Sequence, residues 1–476
     1  MGRVPTALWV LILAAIALRV ALWLAYRPAA IGATVDAIEY ISMADGDMFG
    51  DPTRPAGYSM FLKLLHAVSA DVDFTITVQH LLGIVTGVLM YATVARIGAP
   101  RLAALAAGAA VLLSLDQIYF EHVLQSEVLF TFGLAVVLYA CVRALDEPRE
   151  VLGRFTTRHA WVLTAGAALG GIAWIRATGA PLIPLLALWI AIAIPGRLRE
   201  RVAHAALAGA AGIAVLVVYL SLNASATGSF ALTQATGWAL YGRVAPFADC
   251  TKFDPPAGTE ELCEERPFTE FAGPDEYVYN ESSPARRLFG AFPNGNAQLR
   301  DFALQAILHQ PFEYALDVFN DVTRYFAPGY HVRHPVDYAY IEVSARDPGI
   351  EEAVGNTVVA YYEDESVVFH EDAVRVLTDL EQILRVHPIM LLQAVALSVL
   401  GIWWSSGRIR AGIVLLLGAG FLLLLIPSMT VTYVERYAVP SSGPLIGAGA
   451  MGLWVVIRHF TGGRREPVVH EPPGPA

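Results

Sequence analysis

Ten apolar runs recur along this chain, at 6–26, 75–95, 102–120, 123–143, 160–177, 178–195, 203–222, 387–404, 411–427 and 438–458. Each approaches the length, roughly 17 to 25 residues, that a helix needs to cross a bilayer. Lipid offers a backbone no hydrogen bonds, so such runs can only be helices. With 55% hydrophobic residues this is no soluble chain. The spacing predicts an all-α polytopic membrane protein of about ten spans. Two of the runs, 102–120 and 160–177, are rich in Ala and Gly, which suits close helix packing in lipid.

The short connections richest in arginine fall on one side if the ten spans alternate. Arg96 and Arg101 flank one, Arg143, Arg149, Arg154 and Arg158 the next, and Arg197, Arg199 and Arg201 another. Arg408 and Arg410, and then Arg458, Arg464 and Arg465, complete the set. If the spans alternate, that side is the cytoplasm and holds both termini. The expected location is a bacterial cell membrane. Arg3 and the first apolar core could suggest a cleaved signal, but Arg19 within the core and the lack of a clean cleavage site point to a retained span.

Four regions follow: seven spans over 1–222, an extracytoplasmic segment over 223–386, three spans over 387–460 and a disordered cytoplasmic tail over 461–476. The loop segment between spans seven and eight holds 26 acidic against 11 basic residues, and the remainder 17 against 21. An acidic outer segment argues against nucleic acid as a partner. Residues 223–295 read as irregular, with turns at Asp254-Pro-Pro, Ala272-Gly-Pro and Pro293-Asn-Gly. Residues 297–326 carry helical spacing, and Pro311 can open a second helix. A last helix is expected at about 364–385. Cys141 lies in a span as an inert core residue, whereas Cys250 and Cys263 share a compartment that permits a disulfide. Asn223-Ala-Ser and Asn280-Glu-Ser match glycan acceptor triplets.

Chemistry concentrates at the outer mouth. Asp36 and Glu39, three apart, share a helical face that continues to Tyr40. Arg54-Pro-Ala-Gly-Tyr58 follows. Gln117 to Glu127 spans the next outer turn and brings Glu121, His122 and Glu127 towards the same mouth. Arg176 and Arg436 stand at outer boundaries, where the positive-inside bias makes arginine unexpected, and Arg243 is a further cation. Arginine stays charged and grips phosphate through paired hydrogen bonds. The plain alternatives are helix capping for Glu127, snorkelling for the arginines and a solvated loop helix for Asp36. No Walker loop, dinucleotide fingerprint or HExxH motif is present, so no nucleotide, resident metal or cofactor is indicated. Asp45-Gly-Asp47 with Asp51 could invite a divalent cation, but in no calcium-loop spacing.

Taken in order, Asp36-Ala-Ile-Glu-Tyr-Ile-Ser-Met-Ala44, Arg54-Pro-Ala-Gly-Tyr58, Ser126-Glu-Val-Leu-Phe130, Arg176-Ala-Thr-Gly179 and Glu435-Arg-Tyr-Ala-Val-Pro440 resemble the C-type (GT-C) membrane glycosyltransferases. The resemblance is to the protein O-mannosyltransferase and aminoarabinose transferase superfamily, and it is strongest over about 1–200. The second acid of the family's first loop is displaced here to Glu39. The resemblance implies a polyprenyl-phosphate-sugar donor with its tail among membrane lipids, and an acceptor glycan, protein or lipid. It implies Asp36 as general base with Glu39 and Glu127 beside it. It implies Arg54, Arg176, Arg243 and Arg436 on the donor phosphate, and Tyr40, Tyr58, His122 and Tyr437 lining the cavity. Two rivals stay open: a lipid-linked-sugar flippase or other transporter, which needs deep charges such as Arg19, and a scaffold, in which these residues lie far apart.

Overall fold

The computed structural model describes residues 5–27, 36–153, 155–264, 273–327, 356–362 and 368–461. The expected tail and the start of the expected helix at 364–385 lie outside them. Among the described residues, seven helices are long and apolar enough to cross a membrane: Thr6–Ala25, Val72–Ile97, Glu127–Ala144, Leu198–Thr227, Glu371–Trp404, Gly407–Thr430 and Glu435–Thr461. An eighth forms if Arg101–Leu112 and Leu115–His122, bent by 42°, count as one broken span. The chain is a multi-pass membrane protein, predominantly helical over the described residues.

By length and composition among the described residues, the expected count of ten is not confirmed. The runs at 160–177 and 178–195 form the helices Thr157–Ala173, of 17 residues, and Leu182–Ala193, of 12. The turn Arg176-Ala-Thr-Gly179 and Pro195 shorten these two helices, yet Thr157–Ala173 still runs from Ala144, whose carbonyl Arg158 binds, to Glu127, which Arg176 binds.

Small residues let the helices approach. A Cβ at Gly166 would come within 2.1 Å of the Ala208 carbonyl, and one at Gly452 within 2.1 Å of the Leu397 carbonyl. These contacts seat Thr157–Ala173 on Leu198–Thr227, and Pro388–Trp404 on the last span. Without a hydrophobic gradient between helix and lipid, such close packing holds a bundle together. Large apolar side chains such as Leu13, Val20, Leu188 and Trp403 stay exposed, as lipid-facing positions do.

Glu127–Ala144 gives the bundle two ends. Its 18 residues span about 27 Å at 1.5 Å per residue. Just past its C-terminus, Asp146 accepts from Arg96, Arg143 and Arg408 at 2.7–3.0 Å and ties three helices together. Its N-terminus, Glu127, marks the opposite end.

Beyond that end lies a small module with its own core. The pair Asn296–His309 and Pro311–Arg324 forms, with Pro311 at the start of the second helix. The stretch 223–295 is less irregular than its turn residues suggest, because Thr236–Val244, Pro274–Tyr279 and Pro284–Phe289 are helical. Trp238, Tyr241 and Val244, spaced by three, bury one face against Leu299, Phe302 and Ala306. A disulfide joins Cys250 to Cys263 within this module. Asn223 is buried and donates to the Ser229 and Ala231 carbonyls, so it offers no accessible glycan site. Two short antiparallel strand pairs complete the described structure; in one of them Tyr26–Arg27 pairs with Val368–Phe369.

Candidate functional site

Five chain segments converge at the Glu127 end. Asp36–Asp45 is a ten-residue helix with Asp36 in its first turn, where the helix dipole favours a carboxylate. The turn Arg54-Pro-Ala-Gly-Tyr58 docks on the turn after Thr157–Ala173, with the Gly57 N–H donating to the Trp174 carbonyl at 2.8 Å. Only glycine fits there, since a Cβ would lie 2.4 Å from that oxygen. That contact carries Arg54 and Arg176 to one place. The break after His122 presents Gln125, Ser126 and Glu127, and the short helix Glu435–Tyr437 delivers Arg436.

The side chains form one charged network. Asp36 Oδ1 accepts from Arg54 Nη2 and, at 3.2 Å, from Arg54 Nε. Asp36 Oδ2 lies 2.7 Å from Arg436 Nη1. Arg54 also donates to Asp51 at 2.7 Å. Arg176 donates to Glu127 Oε1 at 2.6 Å, and Arg436 Nε lies 3.5 Å from the same oxygen. Arg436 donates to the Gln125 Oε1 atom at 3.1 Å. Arg176 stacks on the Tyr437 ring, 4.6 Å from its centroid. The Tyr40 hydroxyl donates to Ser126 Oγ, and its ring meets Tyr58 edge to face. Carboxylates, guanidinium groups and aromatic rings therefore alternate within one cluster.

Burial alone would raise the Asp36 carboxyl, but Arg436 and Arg54 together outweigh it and hold it well below the usual carboxylate range. Glu39 moves the other way: partial burial raises it, and Asp51 adds to the effect. Burial, with Asp36 and Glu127 nearby, pushes the Tyr40 phenol up to about 12, so it remains a donor. Three buried polar atoms in the network, Glu127 Oε2, Gln125 Nε2 and Arg436 Nε, have no hydrogen-bond partner among the described residues. Such groups are costly unless something pairs with them.

The structure gathers Asp36, Arg54, Tyr40, Glu127, Arg176, Arg436 and Tyr437, with Glu39 one helical turn away and Tyr58 packed beneath. It does not gather Arg243 or His122. Arg243 is buried in the loop module against Asp317 and Asp321. There its charge is neutralised within the module. His122 turns inward to the Tyr26 carbonyl and His80. The wide separation that a scaffold requires is absent. Sequence reasoning passed over Gln125, although it sits inside the Gln117–Glu127 segment, because an amide carries no charge to mark it.

No family model matches the chain, and no curated protein matches it. Among solved structures, the apo oligosaccharyltransferase of Archaeoglobus fulgidus aligns over 96% of this chain and 51% of its own, with TM-score 0.43 and 13% identity. The oligosaccharyltransferase AglB of the same organism, in complex with an inhibitory peptide and a dolichol-phosphate, aligns over 97% and 52%, with TM-score 0.45 and 11% identity. ArnT from Cupriavidus metallidurans bound to undecaprenyl phosphate aligns over 95% and 78%, with TM-score 0.36 and 13% identity. The chain spans about half the length of the archaeal proteins. Likeness at this level assigns no activity.

Proposed function

We propose that the protein is a glycosyltransferase of the C type, moving a sugar from a polyprenyl-phosphate carrier to an acceptor hydroxyl on the extracytoplasmic side. The observation that carries this reading is the shared clamp on Asp36: Arg54 on one oxygen and Arg436 on the other, with Arg436 also reaching Glu127. A carboxylate clamped in this way is a poor base. An incoming phosphate diester competes for the same guanidinium groups, which pair readily with phosphate. Once they turn to the donor, burial acts on Asp36 alone and raises its basicity. The site thus arms its base only when the donor is bound.

Charge balance fits the step. The acceptor oxygen bonds to the anomeric carbon as the bond from that carbon to phosphate oxygen breaks, inverting the configuration. Asp36 takes the acceptor proton and loses its negative charge. The departing polyprenyl phosphate gains one, and Arg176 and Arg436 stabilise it. Glu127 Oε2 is free to accept from an acceptor hydroxyl, and Gln125 Nε2 to donate to the donor. Glu39, held up by burial, assists proton removal. An apolar groove of about 650 Å³, lined by residues including Leu134, Leu138, Leu186 and Trp189, lies between four helices and extends to Arg408 at the Asp146 end, away from the Asp36 cluster.

The test is turnover by purified protein in nanodiscs, with a lipid extract from a deletion strain that has accumulated the donor. Asp36→Asn is expected to abolish transfer with the fold intact. Retained turnover would remove Asp36 from the chemistry. The transporter reading draws on one observation, the buried charges around Arg19. Flux in proteoliposomes that lack acceptor would favour it.

A further inference from the structure

A second polar network lies between the spans, away from the Asp36 cluster. Arg19 donates to Glu121 through Nε at 2.7 Å and Nη2 at 2.8 Å, and through Nη1 to the Ala15 and Leu112 carbonyls. Gln117 donates to Glu121 Oε1 at 3.2 Å. A chain of contacts continues from Glu121 Oε2 to His80 Nδ1 at 3.2 Å, from His80 Nε2 to His122 Nδ1 at 3.1 Å, and from His122 Nε2 to the Tyr26 carbonyl. Arg19, Glu121, His80 and His122 are all buried. The space is built for this, since a Cβ at Gly83 would stand 1.9 Å from Glu121 Oε1.

Proton counting gives the result. The chain holds three hydrogen bonds and needs one proton in each. A neutral imidazole supplies one N–H, and a carboxylate or carbonyl supplies none. The Tyr26 carbonyl only accepts, so His122 Nε2 carries a proton and a neutral His122 offers Nδ1 as acceptor. His80 Nε2 must then donate, which leaves its Nδ1 bare against a carboxylate oxygen. Two neutral rings therefore fall one proton short. Without it, two lone pairs face each other in a medium that penalises unpaired groups.

We propose that the Glu121–His80–His122 chain is a binding site for one proton, and that this proton latches the bend delivering Gln125 and Glu127 to the Asp36 cluster. The bend follows His122 directly. Gln79 braces it from the same helix as His80, donating to the Glu121 and Val123 carbonyls at 3.0 and 2.9 Å. Gln79 in turn accepts from Tyr58, beneath Tyr40. The bond to Tyr26 fixes the start of the connection that leads to Asp36. The other charged groups of these elements are engaged elsewhere: Asp116 with Arg385, and Asp73 with Trp23. The proton comes from solvent water and returns to it, and the count holds whatever the substrate.

The test uses the full chain in lipid nanodiscs. Nitrogen-15 NMR of the twelve histidines is combined with infrared spectroscopy of the carboxyl groups, with His80→Gln and Glu121→Gln for assignment. At neutral pH the wild type should show either three N–H groups on the His80–His122 pair or a protonated Glu121, and should lose that proton in alkali. In Glu121→Gln an amide nitrogen turned to His80 Nδ1 supplies the missing hydrogen at the same net charge, and the bond from Arg19 Nε to that position is given up. The two rings should then carry one N–H each at neutral pH. Hydrogen exchange over 123–127, corrected for intrinsic chemistry, should rise in alkali in the wild type and stay flat in Glu121→Gln. Two neutral rings with an ionised Glu121 in the wild type at neutral pH would overturn the site, even if the variant fails to fold. Equal exchange in both proteins would overturn the latch.

Discussion

Asp36 is bound through both carboxylate oxygens, and each contact makes a separate claim. As base, it is expected to contribute about 10²- to 10⁴-fold to turnover, so Asp36→Asn should lose that factor in kcat while Glu39→Gln loses less. The charge state makes a second claim. The folded carboxyl lies below its ordinary value, so the ion pairs stabilise the protein fully above about pH 4, the unfolded range. That stability is lost only as pH falls through the depressed value. Thermal midpoints of wild type and Asp36→Asn should therefore keep a constant gap from neutral pH down to mild acid and converge only in strong acid. Glu127→Gln leaves Arg176 with its ring contacts but no counter-charge. Breaking a buried pair from one side costs roughly 3–5 kcal/mol, which denaturation in detergent can measure.

Among the elements, Pro311–Arg324 holds the segment that carries Arg436. Asp321 accepts from the Tyr433 N–H at 3.0 Å and from Arg324 at 2.8 Å, and it also pairs with Arg243. The Tyr325 hydroxyl bridges the backbone of Val434. Asp321→Ala is expected to lower kcat through Arg436 more than it raises KM, because the helix touches no substrate; an unchanged kcat would separate the helix from the site. The disulfide between Cys250 and Cys263 closes a short loop, and removing it should cost the module about 3 kcal/mol. At this scale the sequence was partly legible. Pro311 and the apolar spacing after it marked the helical pair, whereas the helix Thr236–Val244 was hidden among turn residues that dominate its surroundings. Arg243 looked like a phosphate ligand because its charge is visible in sequence and its buried partner, Asp321, lies 78 residues away. The docking of Gly57 on Trp174 was equally invisible, being a contact of backbone with backbone.

For the whole molecule, hydropathy revealed the helices but not which of them cross. Thr157–Ala173 and Leu182–Ala193 are short because a turn carrying Arg176 divides them, yet the first still links the two ends of the bundle. The molecule therefore places Arg176, the proposed phosphate ligand, at a point where the apolar stretch breaks. The arginine-tied end around Asp146 and the Asp36 end are expected to face opposite sides of the membrane. A cysteine at exposed Ser282 should react with an impermeant thiol reagent in intact cells, and one at exposed Glu150 only after permeabilisation. The reverse pattern would invert the topology and move the Asp36 cluster to the cytoplasm. The most direct measurement of the central claim is a cryo-EM structure in nanodiscs with added polyprenyl phosphate. The phosphate is expected within hydrogen-bond distance of Arg436 and Arg54 or Arg176, with Asp36 released from at least one guanidinium. A phosphate seated elsewhere, with both Asp36 pairs intact, would contradict the account.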